Sequence, residues 1–206
     1  MTALVVSNVD PARVGWTQWF AVLVAMAIVC AISIVPDWDD MQPARPAAIG
    51  VVATIAVLSV VTCQHLTCRF HPAVLTGLLM LCGIGDSVLL GLAGSLKFAQ
   101  LAGAMTAATA GCLWISWKTS DRTAIQTLLP VFVITNTCLI YTGYANSFAG
   151  IPSVAFLLVA IALCVSNLSM IPGLNSTTGF KRGLLPFALV GLPLVIGILI
   201  AVRAVE

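Results

Sequence analysis

Asp86 is the one acidic residue set well inside an apolar run, in Leu81-Cys82-Gly83-Ile84-Gly85-Asp86-Ser87. It stands 13 residues from one end of the segment 73–96 and 10 from the other, which makes snorkelling to water difficult. A carboxylate near a bilayer centre costs about 2.5 to 3.5 kcal/mol on insertion scales, so this group is expected to face a bundle interior or a water-filled cavity. Out of water a carboxyl group favours its protonated form, which makes it able to exchange a proton or bind a cation. The competing expectation is structural: a neutral Asp86 that donates a hydrogen bond to a neighbouring helix or a backbone carbonyl. Gln126, Asn136, Ser166, Asn167 and Ser169 are the polar groups in other apolar runs that would supply a partner, and spacing does not choose among them.

Cys63, His65, Cys68 and His71 offer four metal-binding side chains within nine residues. Tetrahedral zinc sites use thiolate and imidazole, but normally as two pairs separated by a longer loop, and Arg69 beside them would repel a cation. The expectation is therefore interface-lining polar residues with no metal and no cofactor. No two apolar runs carry facing histidines, so a haem held inside a bundle has no support. The chain has no Gly-x-Ser-x-Gly elbow, no His-Glu-x-x-His, no phosphate-binding glycine loop and no paired carboxylates, which weighs against an enzyme.

Gly85-Asp86 followed by Leu89-Leu90 resembles the glycine-aspartate helix of lysoplasmalogenase-like membrane hydrolases. The resemblance covers fewer than ten residues and comes without a membrane-embedded His or a second acidic helix. An intramembrane hydrolase is accordingly a minor alternative only.

The elements that position these residues follow from composition. The chain has 206 residues, 60% hydrophobic and 8% charged, against about a quarter charged in an ordinary soluble domain. Its apolar residues fall in successive blocks of about 20, the length that crosses a ~30 Å hydrocarbon core at 1.5 Å per residue. The expected fold is all-α: one integral membrane domain, a polytopic helix bundle with short loops. Seven spans are read at about 17–35, 47–63, 73–96, 98–117, 124–144, 152–171 and 183–202. Between Arg122 and Lys181 no charged residue occurs over 58 positions, too long for one helix and right for two joined near Gly143 to Gly150. A formal charge of +2, spread along the chain, leaves no nucleic-acid footprint. Of the seven cysteines, Cys30, Cys82, Cys112, Cys138 and Cys164 lie in apolar runs and imply no disulfide framework.

Charge bias gives the sidedness, because Lys and Arg are retained in cytoplasmic loops. One face collects Arg13, Arg69, Lys118, Arg122, Lys181 and Arg182; the other has Arg45, Lys97 and Arg203 together with Asp37, Asp39 and Asp40. The N-terminus is thus expected in the cytoplasm and the C-terminus outside, in a cell (plasma or inner) membrane. Trp16, Trp19, Trp114 and Trp117 would sit at the inner interface, and Trp38, Tyr141 and Tyr144 at the outer one. A cleaved signal peptide ending near Ala31-Ile32-Ser33 is the weaker reading of the first span, whose run exceeds the usual ~7 to 15 residue signal core. The Asn175-Ser176-Thr177 sequon falls on the cytoplasmic side, where it would be inert.

Small residues indicate which helices pack. Gly83, Ser87, Gly91 and Ser95 recur every four residues in the third span, and Ala99, Gly103, Ala107 and Gly111 in the fourth. Such ridges let helix backbones approach in lipid, where apolar burial gives little drive for association. A tight antiparallel hairpin around Leu96-Lys97 is expected. Pro130, Pro186 and Pro193 should fall inside the fifth and seventh helices, while Pro152 and Pro172 should mark helix ends.

Two functional expectations follow. One is small-solute or proton-linked transport through Asp86; the other is a non-catalytic membrane scaffold or assembly subunit with a membrane-protein partner or a second copy of itself. A water-accessible polar cavity at Asp86 would favour transport, and dry packing against a partner amide would favour the scaffold.

Overall fold

The computed structural model describes residues 16–36, 44–119, 122–170 and 180–206. Asp10, Arg13, the acidic cluster Asp37, Asp39 and Asp40, Trp38, Pro172 and the Asn175-Ser176-Thr177 sequon lie outside them. The described residues form seven α-helices and no strand. These are α1 Trp16–Ile34, α2 Arg45–Arg69, α3 Pro72–Leu92, α4 Leu96–Thr119, α5 Arg122–Ala145, α6 Ser153–Val165 and α7 Phe180–Val205. The last turn of α6 tightens into a 3₁₀ segment, Ser166–Met170. Five helices contain stretches long and apolar enough to cross a membrane: Arg45–Arg69, Pro72–Leu92, Leu96–Lys118, Leu128–Ala145 and Leu184–Val205. Gln18–Ile34 and Ser153–Ser169 are shorter apolar helices. The all-helical, membrane-compatible reading therefore stands for the described residues.

Three expected boundaries move. α2 runs six residues past Cys63 to Arg69, because backbone hydrogen bonding carries a helix through Gln64 and His65 after the apolar run ends. It stops where Phe70 turns extended ahead of Pro72. His71 then caps α3, its Nδ1 accepting from the Ala73 N–H at 3.3 Å, with Pro72 in the first helical turn, where its missing donor costs nothing. α3 ends at Leu92, and the hairpin turn is Ala93-Gly94-Ser95 rather than Leu96-Lys97. Gly94 takes φ +79°, a conformation that favours glycine, and its N–H bonds to the Gly91 carbonyl at 3.1 Å. Pro130, Pro186 and Pro193 lie inside α5 and α7, and Pro152 caps α6, as expected.

Among the described residues α3 is central, meeting α2, α4, α5, α6 and α7, whereas α4 packs mainly on α3 and α5. Accordingly 56% of the apolar stretch of α3 is buried against 17% of that of α4. The main core joins Trp19 and Leu23 of α1, Leu66 of α2, Leu79 of α3, Phe132 of α5 and Val159 of α6. Trp19 is 1% exposed, which corrects its placement at a lipid interface: it fills the core instead. Trp114 and Trp117 are exposed, and Lys118 Nζ lies 4.9 Å from the Trp114 ring centroid, a cation–π pair consistent with an interfacial belt.

Candidate functional site

A polar side chain inside lipid must find a partner within the protein, and the hydroxyls do so locally. Thr76, Thr106, Thr109, Thr137 and Thr142 each donate to the carbonyl four residues back at 2.6–2.9 Å. That solution is closed to an ionised carboxylate, which only accepts, since helical N–H groups are already engaged and the free backbone groups nearby are also acceptors.

Asp86 is 0% exposed on α3, six residues before Leu92 and thus about 9 Å from the helix end. It lies closer to one end than a span over 73–96 implied. Of the five polar groups named as prospective partners, only Asn136 of α5 approaches its carboxyl. Gln126 and Asn167 are exposed, and Ser166 and Ser169 donate to the Leu163 and Ser166 carbonyls. Both Asp86 oxygens and Asn136 Oδ1 are buried without a hydrogen bond of ordinary geometry. Three buried oxygens therefore stand at the α3–α5 contact, and the group that approaches the carboxyl there is the Asn136 amide, whose Nδ2 can donate. Cys82, one turn earlier on α3, shares this neighbourhood with Cys63 and Cys164.

Adjacent contacts on α2 and α6 were not visible from the sequence. Ser59 Oγ and Cys164 Sγ are 3.1 Å apart, and Asn167 Nδ2 donates to Thr62 Oγ1. Ser59 and Thr62 are three residues apart on one face of α2, a polar i, i+3 pair within an apolar run that was the available signal.

Among the described residues the α3–α4 pairing is the most extensive, but it uses only part of the two small-residue ridges. Ser87 Oγ donates to the Ala99 carbonyl across the interface at 3.0 Å. A side-chain carbon placed on Gly83 would overlap Thr106 Oγ1, one on Gly103 would stand 3.6 Å from Ser87 Oγ, and one on Gly91 4.0 Å from the Ala99 methyl. Ser95 belongs to the turn, and its Oγ points to the Asn146 carbonyl at 3.5 Å. Ala107 and Gly111 face outward, and Gly111 has open space beside it. The strict four-residue ridge of α4 is thus corrected: contact passes to Ala102, Thr106 and Thr109, which are buried. A step of four overshoots the 3.6-residue turn by about 40°, so residues spaced by four drift off a straight contact line.

Cys63, His65, Cys68 and His71 are not brought together. Cys63 is buried in the core, while His65, Cys68 and His71 are exposed. Among the described residues no three His, Cys, Asp or Glu side chains are placed to share a metal ion.

A cavity of about 230 Å³ opens between α2, α5 and α6, lined by residues that include Val51, Ile55, Tyr141, Tyr144 and Phe156. Tyr144 packs edge-on against Phe156, ring centroids 5.6 Å apart. Asp86 does not line it. No family model, curated protein or solved structure matches this chain.

Proposed function

We propose that the chain is a multi-pass integral membrane protein of seven spans, N-terminus cytoplasmic and C-terminus outside, acting as a non-catalytic scaffold or assembly subunit. Gln18–Ile34 and Ser153–Ser169, each 17 residues, meet the lower limit of spanning length, and tilt or local thinning of the bilayer absorbs small mismatches. The observation that carries the scaffold reading is the complete burial of Asp86 against Asn136. A proton on the carboxyl adds a second donor to the Asn136 amide, so that an O–H to Asn136 Oδ1 and an N–H to the carboxyl oxygen can join α3 to α5. Asp86 is then an interhelical clamp. The outward small-residue face of α4, with Ala104, Ala107, Ala108 and Gly111 exposed, supports docking of a membrane partner or a second copy.

Proton-linked transport through Asp86 is the second reading, supported by the same buried carboxyl, which can take up and release a proton where the Asn136 amide cannot. Asp86→Asn separates the two, because an amide preserves a donor but carries no titrating proton. The clamp predicts normal abundance, thermal stability and proton flux in Asp86→Asn and a destabilised Asp86→Leu; loss of flux in a stably folded Asp86→Asn protein supports transport and overturns the scaffold. A reporter fused after Glu206 is expected outside the cell, and a cytoplasmic signal refutes seven spans.

A further inference from the structure

The last turn of α4 carries a basic and aromatic cluster well separated from Asp86. Ser116, 2% exposed, marks the side of that turn that faces the bundle. Trp114, Trp117 and Lys118, three and four residues apart, gather on the outward side, as a 3.6-residue repeat requires. Trp114 and Trp117 are 68% and 74% exposed, and the exposed Lys118 holds its ammonium 4.9 Å from the Trp114 ring centroid. Of the five long apolar helices α4 is the least covered, so this turn projects from the bundle where the stretch Leu96–Lys118 ends. α3 and α4 run antiparallel, and the contacts of Ser87 with Ala99 and of Gly83 with Thr106 bring the last turn of α4 level with the start of α3. Arg69, exposed at the end of α2 and three residues before α3 begins, adds a second positive charge at this end. Asp121 and Arg122 follow in the sequence and cancel in charge.

An ammonium and indole N–H groups can only donate, so whatever binds this turn must accept. The backbone gives an anion no help here, since the last carbonyls of a helix are its negative end, and the side chains alone must hold it. Indole rings settle at the headgroup level of a bilayer, and Ile115, 53% exposed beside them, continues the apolar surface. The occupant is thus an amphipath with an anionic polar end. We infer that the last turn of α4 binds the headgroup of an anionic glycerophospholipid, its phosphate oxygens accepting from Lys118 Nζ and from the Trp117 indole N–H, while the Trp114 ring steadies the ammonium. In a zwitterionic lipid the headgroup's own cation offsets the phosphate, so a net anionic headgroup is preferred. The site lies past the small-residue face of α4, is separate from Asp86 and does not depend on the scaffold reading.

The test compares phosphatidylglycerol with phosphatidylcholine of the same acyl chains. Delipidated protein in mild detergent is given the two lipids in equal amounts, and bound lipid is counted by native mass spectrometry. The wild-type protein is expected to retain phosphatidylglycerol about fivefold better, the effect of one cation facing an anionic headgroup. Lys118→Gln should abolish that preference and Lys118→Arg should keep it. Trp117→Leu should lower phosphatidylglycerol retention about threefold, the effect of one modest hydrogen bond. Lys97→Gln removes the same charge from the opposite, exposed end of α4 and should leave the preference unchanged. Equal retention of the two lipids by the wild type overturns the proposal. Equal loss of preference in Lys97→Gln and Lys118→Gln also overturns it, because attraction to charge at large then accounts for the binding. A dimer that dissociates in Trp117→Leu while lipid counts stay the same overturns the lipid as occupant in favour of a second copy of the chain.

Discussion

α3 makes two quite different contacts, one with α4 and one with α5. Toward α4 it presents Gly83, Ser87 and Gly91, and the backbones approach closely enough for Ser87 to reach the Ala99 carbonyl. Toward α5 it presents Asp86 to Asn136, where three oxygens are buried without a hydrogen bond of ordinary geometry beside the Asn136 amide. The first contact is held by shape and by hydroxyls satisfied within or across the pair. The second depends on the Asn136 amide and on the protonation of the carboxyl. The difference separates two uses of polarity in lipid: a hydroxyl is both donor and acceptor and can satisfy itself on its own helix, whereas a carboxylate depends on another group. The first arrangement tolerates little change of volume; the second tolerates little change of hydrogen-bonding character.

Substitutions on the two faces of α3 should expose this contrast. The largest effect is expected from Gly83→Val, whose side chain collides with Thr106 and pushes α4 away; a loss of about 1–3 kcal/mol, typical of overpacking, should appear in unfolding measured in detergent. If Gly83→Val melts like the wild type, the close approach of α3 and α4 is not the stabilising contact. Asn136→Leu comes next, with a loss of about 1 kcal/mol from the interhelical polar pair. Asp86→Asn should lose distinctly less than Asn136→Leu, and equal losses would contradict a role that any donor can fill. Ser87→Ala should cost roughly 0.5–1 kcal/mol for the single bond to Ala99. Gly111→Leu should change monomer stability by less than about 0.5 kcal/mol, because open space lies beside it. The same substitution should weaken self-association if α4 docks a second copy, which cross-linking in membranes would report.

Much of the local structure was legible in the residues. The approximate helix limits, the helix break after Ala145 and the internal prolines of α5 and α7 all follow from run length and composition. The extension of α2 to Arg69 was missed because hydropathy marks where lipid-compatible residues end, while a helix ends only where its hydrogen bonding does. At the site, Asp86 was legible from its isolation among apolar residues, but its partner was not: Asn136 is 50 positions away and was one of five equivalent polar groups. The Tyr141 cavity had no sequence signature, since its walls come from three helices.

The sequence by itself determined that the chain is helical and suited to lipid, because each segment must satisfy its own backbone groups wherever water is absent. That requirement is local and can be read residue by residue. Only the tertiary structure decided that Trp19 fills the core, that Ala107 and Gly111 turn outward, and that Asp86 meets Asn136. Those outcomes depend on the rotation of each helix about its axis, which is set jointly by all its neighbours. No single segment carries that information.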